Sequence, residues 1–169
     1  MKLAMENIQG EHFFLNAETL TLGLEQSRQS ERKRMILPIH RSKDALVQRM
    51  LNFLQPGTYI RPHMHPEAFA SETFLLMQGS LHFILFDQRG EIVAVRFIEA
   101  QKPQCLVDIE PKLWHSFVVL EEDTVVLEIK RGPYNANGDK IFPEWAPEEF
   151  SREAVHYMQQ LEKKIEKVV

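Results

Sequence analysis

Cysteine is nearly absent from this sequence. The 169 residues include one cysteine, Cys105, so an internal disulfide and a zinc module built from several cysteines are both excluded. No run approaches the roughly 18 apolar residues that a membrane-spanning helix needs, and the N-terminus lacks the apolar core of a signal peptide. We therefore expect a cytoplasmic protein that is not inserted in a membrane.

An excess of charge of one sign is also lacking. The sequence has 20 Lys and Arg residues against 24 Asp and Glu residues, a formal net charge of −4, which argues against a nucleic-acid partner. The apolar fraction of 44% and the charged fraction of 26% are those of an ordinary soluble globular protein. The length predicts one domain over residues 1–169 with a substantial buried core.

Short apolar stretches separated by turn residues fill the middle of the chain. They predict strands at residues 46–54, 58–65, 72–77, 81–86, 92–99, 105–109, 115–120 and 124–130. The turn residues 87–90 predict a hairpin, because Gly90 can adopt a positive φ. Many short strands at close spacing predict an all-β core, a jelly-roll β-barrel or sandwich.

Helical patterns flank this region. Asn16 suits the N-cap of a helix that extends to about Arg34. Residues 148–168 carry apolar side chains at a helical spacing, which predicts a helix packed against the barrel or the first helix rather than at a dimer seam. The predicted organisation is a helical N-terminal flank (1–45), a β-barrel (46–131), a structured loop (132–147) and a C-terminal amphipathic helix (148–169).

Two histidines one residue apart, His63 and His65, are the strongest functional signal. On an extended segment their side chains point to the same side, with Cα atoms roughly 6.5–7 Å apart. Glu72 and His115 follow in predicted strands, and Glu67 is the alternative carboxylate. Imidazoles plus a carboxylate suit one divalent transition metal, such as Zn, Fe, Ni or Mn, and four ligands leave positions open for a substrate.

These residues, together with two glycines, resemble the first cupin motif. Five residues separate Gly57 from His63, and six separate Glu72 from Gly79, as in that motif. The departure is the gap between His65 and Glu72, where six residues stand instead of three or four.

The second cupin motif is present in altered form before His115. Pro111 precedes the histidine, but Lys112 stands where glycine is usual. A position that prefers glycine often requires a positive φ, so the geometry of this turn is an open point.

Beyond the two motifs, the chain is similar to the WbuC-type cupin-fold metalloproteins, small bacterial proteins often associated with surface-polysaccharide biosynthesis. The similarity extends from about Arg32 to Glu149, and it is carried by segments 34–40, 47–51, 55–57, 62–66, 132–134 and 145–149 and by Asp44, Tyr59, Pro111, Trp114, His115, Glu128, Lys130, Asp139, Lys140 and Phe142. It implies the jelly-roll fold and metal ligation by the three histidines and Glu72. It implies no particular reaction.

Several polar residues suit a substrate pocket. The candidates are Arg49, Tyr59, Arg61, Lys130 and His40. Glu128 shares a strand face with Lys130, and if that face lines the barrel, Glu128 is a candidate general base or a residue that orients a ligand. The alternative is that Glu128 and Lys130 form an exposed pair on the outer face of the sheet.

Three functions are compatible with this sequence. The first is a metal-dependent enzyme, an isomerase, hydrolase or oxygenase, acting on a small polar or anionic, sugar-related substrate. The second is a non-catalytic protein that binds or senses a small ligand through the metal. A metal-free epimerase is the third, and the intact ligand set argues against it. A homodimer is possible in each case.

Overall fold

The computed structural model describes residues 3–135 and 138–168. Two helices and eight strands make up its regular structure: α1 (Ala17–Gln29), β1 (Arg34–Pro38), β2 (Val47–Leu54), β3 (Glu72–Gln78), β4 (Ser80–Phe86), β5 (Ile92–Glu99), β6 (Leu106–Ile109), β7 (Trp114–Val119), β8 (Thr124–Arg131) and α2 (Arg152–Ile165). The strands form a five-stranded sheet in the order β1-β2-β8-β3-β6 and a three-stranded sheet in the order β5-β4-β7.

A core of apolar side chains fills the space between the two sheets. Leu76 and Val126 from the first sheet pack there with Phe83 and Val119 from the second. Because side chains alternate along a strand, Glu72 on β3 and Glu128 on β8 also face this space. The interior is therefore apolar at one end and polar at the other.

Each helix covers the outer face of one sheet. Leu24 of α1 packs on Leu51 and Phe53 of the five-stranded sheet, and a Cβ added at Gly23 would lie 2.3 Å from the Phe53 ring. On the other side, Leu161 and Ile165 of α2 join a cluster with residues of β4, β5 and β7. The prediction that the C-terminal helix packs on the barrel is thus confirmed.

The predicted all-β core is confirmed, and every predicted strand except 58–65 is present with each end within one residue. Residues 58–65 contribute only isolated bridges, at His63 and Met64. Pro62 lacks the N–H that a continuous ladder would need there.

The N-terminal flank differs from the prediction. Asn16 does cap the first helix, since its side chain accepts a hydrogen bond from the backbone N–H of Thr19. However, α1 ends at Gln29 rather than near Arg34, and Lys33 adopts a positive φ of 53° that turns the chain into β1. The predicted helical flank therefore contains an edge strand of the larger sheet.

Candidate metal centre

The four predicted ligands converge at one end of the space between the sheets. Glu72 is the first residue of β3, and His115 is the second residue of β7. His63 forms an antiparallel bridge with His115, with N–H···O distances of 3.1 and 2.9 Å. The short segment of His63 to His65 therefore continues the three-stranded sheet beyond β7.

All four side chains are almost fully buried, with 4% of His63, 3% of His65, 1% of Glu72 and 2% of His115 exposed. One nitrogen of each imidazole and one carboxylate oxygen lie within 4.8 Å of one another. The rings of His63 and His65 have centroids 5.4 Å apart, as expected for alternate residues on one side of an extended segment.

Main-chain carbonyls fix the tautomer of every imidazole in this cluster. The Nδ1 atom of His63 lies 2.9 Å from the carbonyl oxygen of Arg61, and that of His115 lies 2.8 Å from Leu113 O. His65 Nδ1 bonds the carbonyl of Asp139. Because a carbonyl oxygen only accepts, each Nδ1 carries a proton, and in the neutral ring each Nε2 presents a lone pair.

Four other buried polar atoms of the cluster have no hydrogen-bond partner among the described residues. They are Nε2 of His65, Nε2 of His115 and both carboxylate oxygens of Glu72. His65 Nε2 lies 2.8 Å from Glu72 Oε1, and His115 Nε2 lies 3.2 Å from Oε2. In the neutral imidazoles these Nε2 atoms carry no proton, so the contacts bring lone pairs together. A bound cation would satisfy them all, so the residues fit a metal.

Burial and nearby charge favour the metal-binding protonation states of His63 and Glu72. Burial lowers the pKa of His63 well below 6.5, and the positive charge of Lys140 lowers it further. Burial alone would raise the pKa of Glu72, but hydrogen bonds that His115 and His65 donate when their Nε2 atoms are protonated, together with the charge of Lys140, outweigh it, and the pKa falls well below 4.5. A neutral imidazole and an ionised carboxylate are the forms that bind transition metals.

The turn before His115 keeps a glycine-like conformation without a glycine. Lys112 has a φ of 66°, in the left-handed region that glycine adopts without strain. Its backbone N–H donates to the carbonyl oxygen of His65 at 2.9 Å. The positive φ that the motif suggested is therefore present, and the turn links the His115 strand to the other histidines.

The segment of residues 139–142 closes the site from the side opposite β7. Ile141 pairs with Met64 through N–H···O bonds of 2.9 and 3.1 Å. The Phe142 ring lies 6.2 Å from that of His63, and Lys140 is half-buried. Asp139 and Lys140 entered the sequence analysis only through the family similarity, and no local spacing pattern marks them as part of a site.

Lys130 and Glu128 occupy the inner wall of the barrel beside the cluster. Lys130 is paired with Glu72 in the strand register, and its Nζ lies 2.6 Å from Asp139 Oδ2. Burial lowers the pKa of Lys130, but Glu128, Asp139 and Glu72 raise it more, and the net shift is upward. Asn52 donates to Glu128 at 2.9 Å. The alternative of an exposed outer pair does not hold.

Arg61 and Tyr59 lie near the site but engage the C-terminal segment. The Arg61 guanidinium stacks 4.8 Å above the Phe142 ring, and its Nε donates to Ala146 O at 3.1 Å. The Tyr59 hydroxyl donates to Pro147 O at 2.9 Å. Burial raises the pKa of Tyr59, which keeps the hydroxyl protonated.

The structure does not bring Arg49, His40 or Glu67 into the cluster. Arg49 is exposed, on the β2 face that carries Leu51 toward α1 and away from the interior. His40 is buried, with its Nδ1 2.9 Å from the carbonyl oxygen of Arg49. Glu67 is exposed and lines a surface cavity that includes Asp139. The four-residue cluster contains Glu72 and not Glu67.

Several solved structures are similar to this chain. Crystal structures of CapF match at a TM-score of 0.54 for the inhibitor complex and 0.53 for the capsular polysaccharide assembling protein CapF from Staphylococcus aureus, both at 20% identity over 64% of this chain. Oxalate decarboxylase from Bacillus subtilis matches at 0.50 and 18% identity, also over 64% of this chain. The fold is that of the cupins.

The likeness to these cupins covers only part of their length, between 27% and 31% of each matched chain. A family model described as a domain of unknown function, DUF6016, matches residues 15–98, which contain His63, His65 and Glu72 but not His115. No curated protein matches the sequence. Neither helix of the described residues has the length and hydropathy required to span a membrane.

Proposed function

We propose that this chain is a cupin metalloprotein that binds one divalent transition metal through His63, His65, Glu72 and His115. One observation carries the proposal. All three imidazoles have Nδ1 bound to a main-chain carbonyl, and the unsatisfied atoms that remain, including both oxygens of Glu72, converge in a buried space. Proteins orient histidine ligands toward a metal through hydrogen bonds of this kind from the ring nitrogen that does not bind the metal.

The donor set favours Zn, Fe, Ni or Mn over Ca or Mg, since three of its four atoms are imidazole nitrogens. Four protein ligands on such an ion leave room for a substrate atom. Bound there, the metal would polarise an oxygen of that substrate as a Lewis acid. A small polar or anionic molecule is the substrate class that this arrangement suits.

We further propose that the substrate is sugar-related and belongs to surface-polysaccharide metabolism, as in WbuC-type cupins. Two findings support this. The sequence resembles that family from about Arg32 to Glu149, and one structural neighbour is a capsular polysaccharide assembling protein. That neighbour shares the fold, and its role is carried to this chain only as a proposal.

Glu128 is the group that we propose for proton transfer, if the site is catalytic. It faces the interior between the sheets, two residues before Lys130, and Asn52 holds its Oε2. A carboxylate held in this way, on the same sheet as Glu72, can accept a proton from a substrate bound to the metal. A non-catalytic binding protein would use the same metal without this step.

The cytoplasmic location and the homodimer predicted from the sequence remain part of the proposal. The exposed outer side of α2, which carries Val155, is a candidate dimer surface.

Metal analysis tests the proposed ligand set. The protein is purified without a metal-affinity tag, and its metal content is measured by mass spectrometry of the elements. We expect close to one transition metal per chain in the wild type and almost none in His63→Ala or Glu72→Gln.

Two matched variants serve as controls. Glu67→Gln and His82→Ala change the same residue types outside the cluster, and each should keep the metal. A wild type without bound metal, or a Glu72→Gln variant that binds metal as well as Glu67→Gln does, would contradict the proposal.

A further inference from the structure

The pairing of two short segments places Lys140 on the histidine side of the site. Met64 and Ile141 are directly opposed in an antiparallel bridge. In this register His65 lies across from Lys140, and His63 lies across from Phe142. Because side chains alternate along an extended segment, these four side chains point to the same face. The ring centroids of His63 and Phe142 are 6.2 Å apart, which agrees with this register.

The electrostatics of the cluster agree with that placement. The Lys140 charge lowers the pKa of His63 and also that of Glu72. Burial and the charge of Lys130 lower the pKa of Lys140, and Glu72, Glu128 and Asp139 offset only part of this, so the net shift is downward. The Lys140 side chain therefore lies close enough to the cluster to interact with it electrostatically.

The other charges beside the cluster have partners of their own. Lys130 is paired with Asp139, and Glu128 accepts a hydrogen bond from Asn52. Lys140 forms no ion pair with any carboxylate in the described ranges 3–135 and 138–168. It is therefore a cation beside the cluster without a dedicated counter-ion among these residues.

Binding of a divalent cation would leave the site with an excess of positive charge. The carboxylates of Glu72, Glu128 and Asp139 then face the metal together with Lys130 and Lys140. Three negative charges do not balance four positive ones. A buried site with such an imbalance favours an anionic ligand over a neutral one.

We propose that Lys140 binds the oxyanion group, a carboxylate or a phosphate, of the small molecule held at the metal. This inference rests on the proposed function and adds the residue that selects the charge of the ligand. Lysine suits the role as a compact point charge with three donors on a flexible stem. One oxygen of the anion would bind the metal, and another would accept a hydrogen bond from Lys140 Nζ.

The alternative role of Lys140 is to neutralise Glu72 in the absence of metal. The two roles predict different results when the charge of Lys140 is removed. In the alternative role, Lys140→Gln changes metal affinity and leaves anion affinity unchanged. In the proposed role, Lys140→Gln keeps the metal and loses affinity for the anion.

A titration of the cobalt-loaded protein tests the inference. Cobalt(II) gives a visible absorption spectrum that responds to a change in its ligands. Acetate and phosphate are titrated separately at constant ionic strength into the wild type, Lys140→Gln, Lys140→Arg and the exposed control Lys102→Gln. Cobalt content is measured for each variant, so loss of metal and loss of anion binding are recorded independently.

We expect Lys140→Gln to keep its cobalt and to bind the anion at least about tenfold more weakly, as for the loss of one charge-assisted hydrogen bond. Lys140→Arg should stay within about threefold of the wild type, and Lys102→Gln should equal it. A preference for acetate identifies a carboxylate ligand, and a preference for phosphate a phosphorylated one.

Three results would overturn the inference. They are a loaded wild type that binds neither anion, a loaded Lys140→Gln with unchanged anion affinity, and a loaded Lys140→Arg that is as weak as Lys140→Gln. A wild type that takes up no cobalt contradicts the proposed function as well. If Lys140→Gln does not fold, a crystal structure of the cobalt-loaded wild type with the more tightly bound anion tests the inference instead. The anion should contact Lys140 Nζ, and an anion bound without this contact would contradict the inference.

Discussion

At the scale of single residues, the candidate site depends on main-chain atoms more than on side-chain partners. Arg61, Leu113 and Asp139 each orient one imidazole through a carbonyl oxygen. A substitution at any of these three positions keeps that oxygen. Side-chain substitutions at these positions should therefore leave the orientation of the imidazoles unchanged, as long as the backbone conformation is preserved.

Lys112 is a position where the backbone is strained for its residue type. Its φ of 66° costs a non-glycine residue about 1–2 kcal/mol, and glycine would recover part of this after its larger entropy loss on folding. We expect Lys112→Gly to raise the free energy of unfolding by about 0.5–1 kcal/mol, measured by urea denaturation of the metal-free protein.

Lys102→Gly is the matched control for this prediction. Lys102 is exposed and has no positive φ, so glycine there should not stabilise the protein. Equal effects of the two substitutions would show that the conformation of Lys112 is not the cause.

The ligand residues could be predicted from sequence because their signal is local. His63 and His65 alternate on one segment, and Glu72 lies at a fixed distance from Gly79, which has a φ of 81°. That distance favours Glu72 over Glu67 as the ligand. Lys140 could not be found in this way, because it reaches the site through the pairing of Ile141 with Met64, far away in the sequence.

At the scale of elements, α2 protects the smaller sheet from water. Ser151 caps its first turn, and Leu161 and Ile165 are buried against β4, β5 and β7. The helical spacing of apolar residues in the sequence predicted this face, although the helix begins at Arg152 rather than at residue 148.

Truncation of Leu161 measures how strongly α2 is attached. Leu161 is 6% exposed, so Leu161→Ala should lower the free energy of unfolding by about 2–4 kcal/mol through lost burial and a residual cavity. Chemical denaturation followed by circular dichroism gives this value.

Val155→Ala is the control on the same helix. Val155 is 62% exposed, and its truncation should change stability by no more than about 0.5 kcal/mol. If Leu161→Ala were equally mild, α2 would not be packed on the sheet in solution.

The strand β1 shows where element prediction failed. Only residues 30–33 separate α1 from β1. The chain turns there at Lys33, whose positive φ is unusual for lysine. No glycine or proline marks this turn. The alternation of Met35 and Leu37, both buried under α1, was the available signal, but it is too short to compete with the preceding helical pattern.

At the scale of the whole molecule, the proposed metal would join three separate parts of the chain. Glu72 belongs to the larger sheet, His115 to the smaller one, and His63 and His65 to the segment between β2 and β3. Removal of the metal should therefore destabilise the entire fold, since a ligand that binds only the native state stabilises it by mass action.

We expect the metal to stabilise the wild type by about 2.7 kcal/mol at a free concentration one hundred times its dissociation constant. Thermal unfolding with added metal and with a chelator measures the shift. His115→Ala should show no metal-dependent shift, whereas His82→Ala, which alters a half-buried histidine on the outer sheet face, should keep it in full. A shift that survives in His115→Ala would place the metal elsewhere.

The segment of residues 139–142 gives this architecture a modular character. Its backbone holds His65 and pairs with Met64, while the side chains of Lys140 and Phe142 face the space above the histidines. Backbone support and side-chain chemistry are thus separated within one short loop. Ligand preference can therefore evolve, or be engineered, by exchange of these two side chains while the metal-binding residues are inherited unchanged.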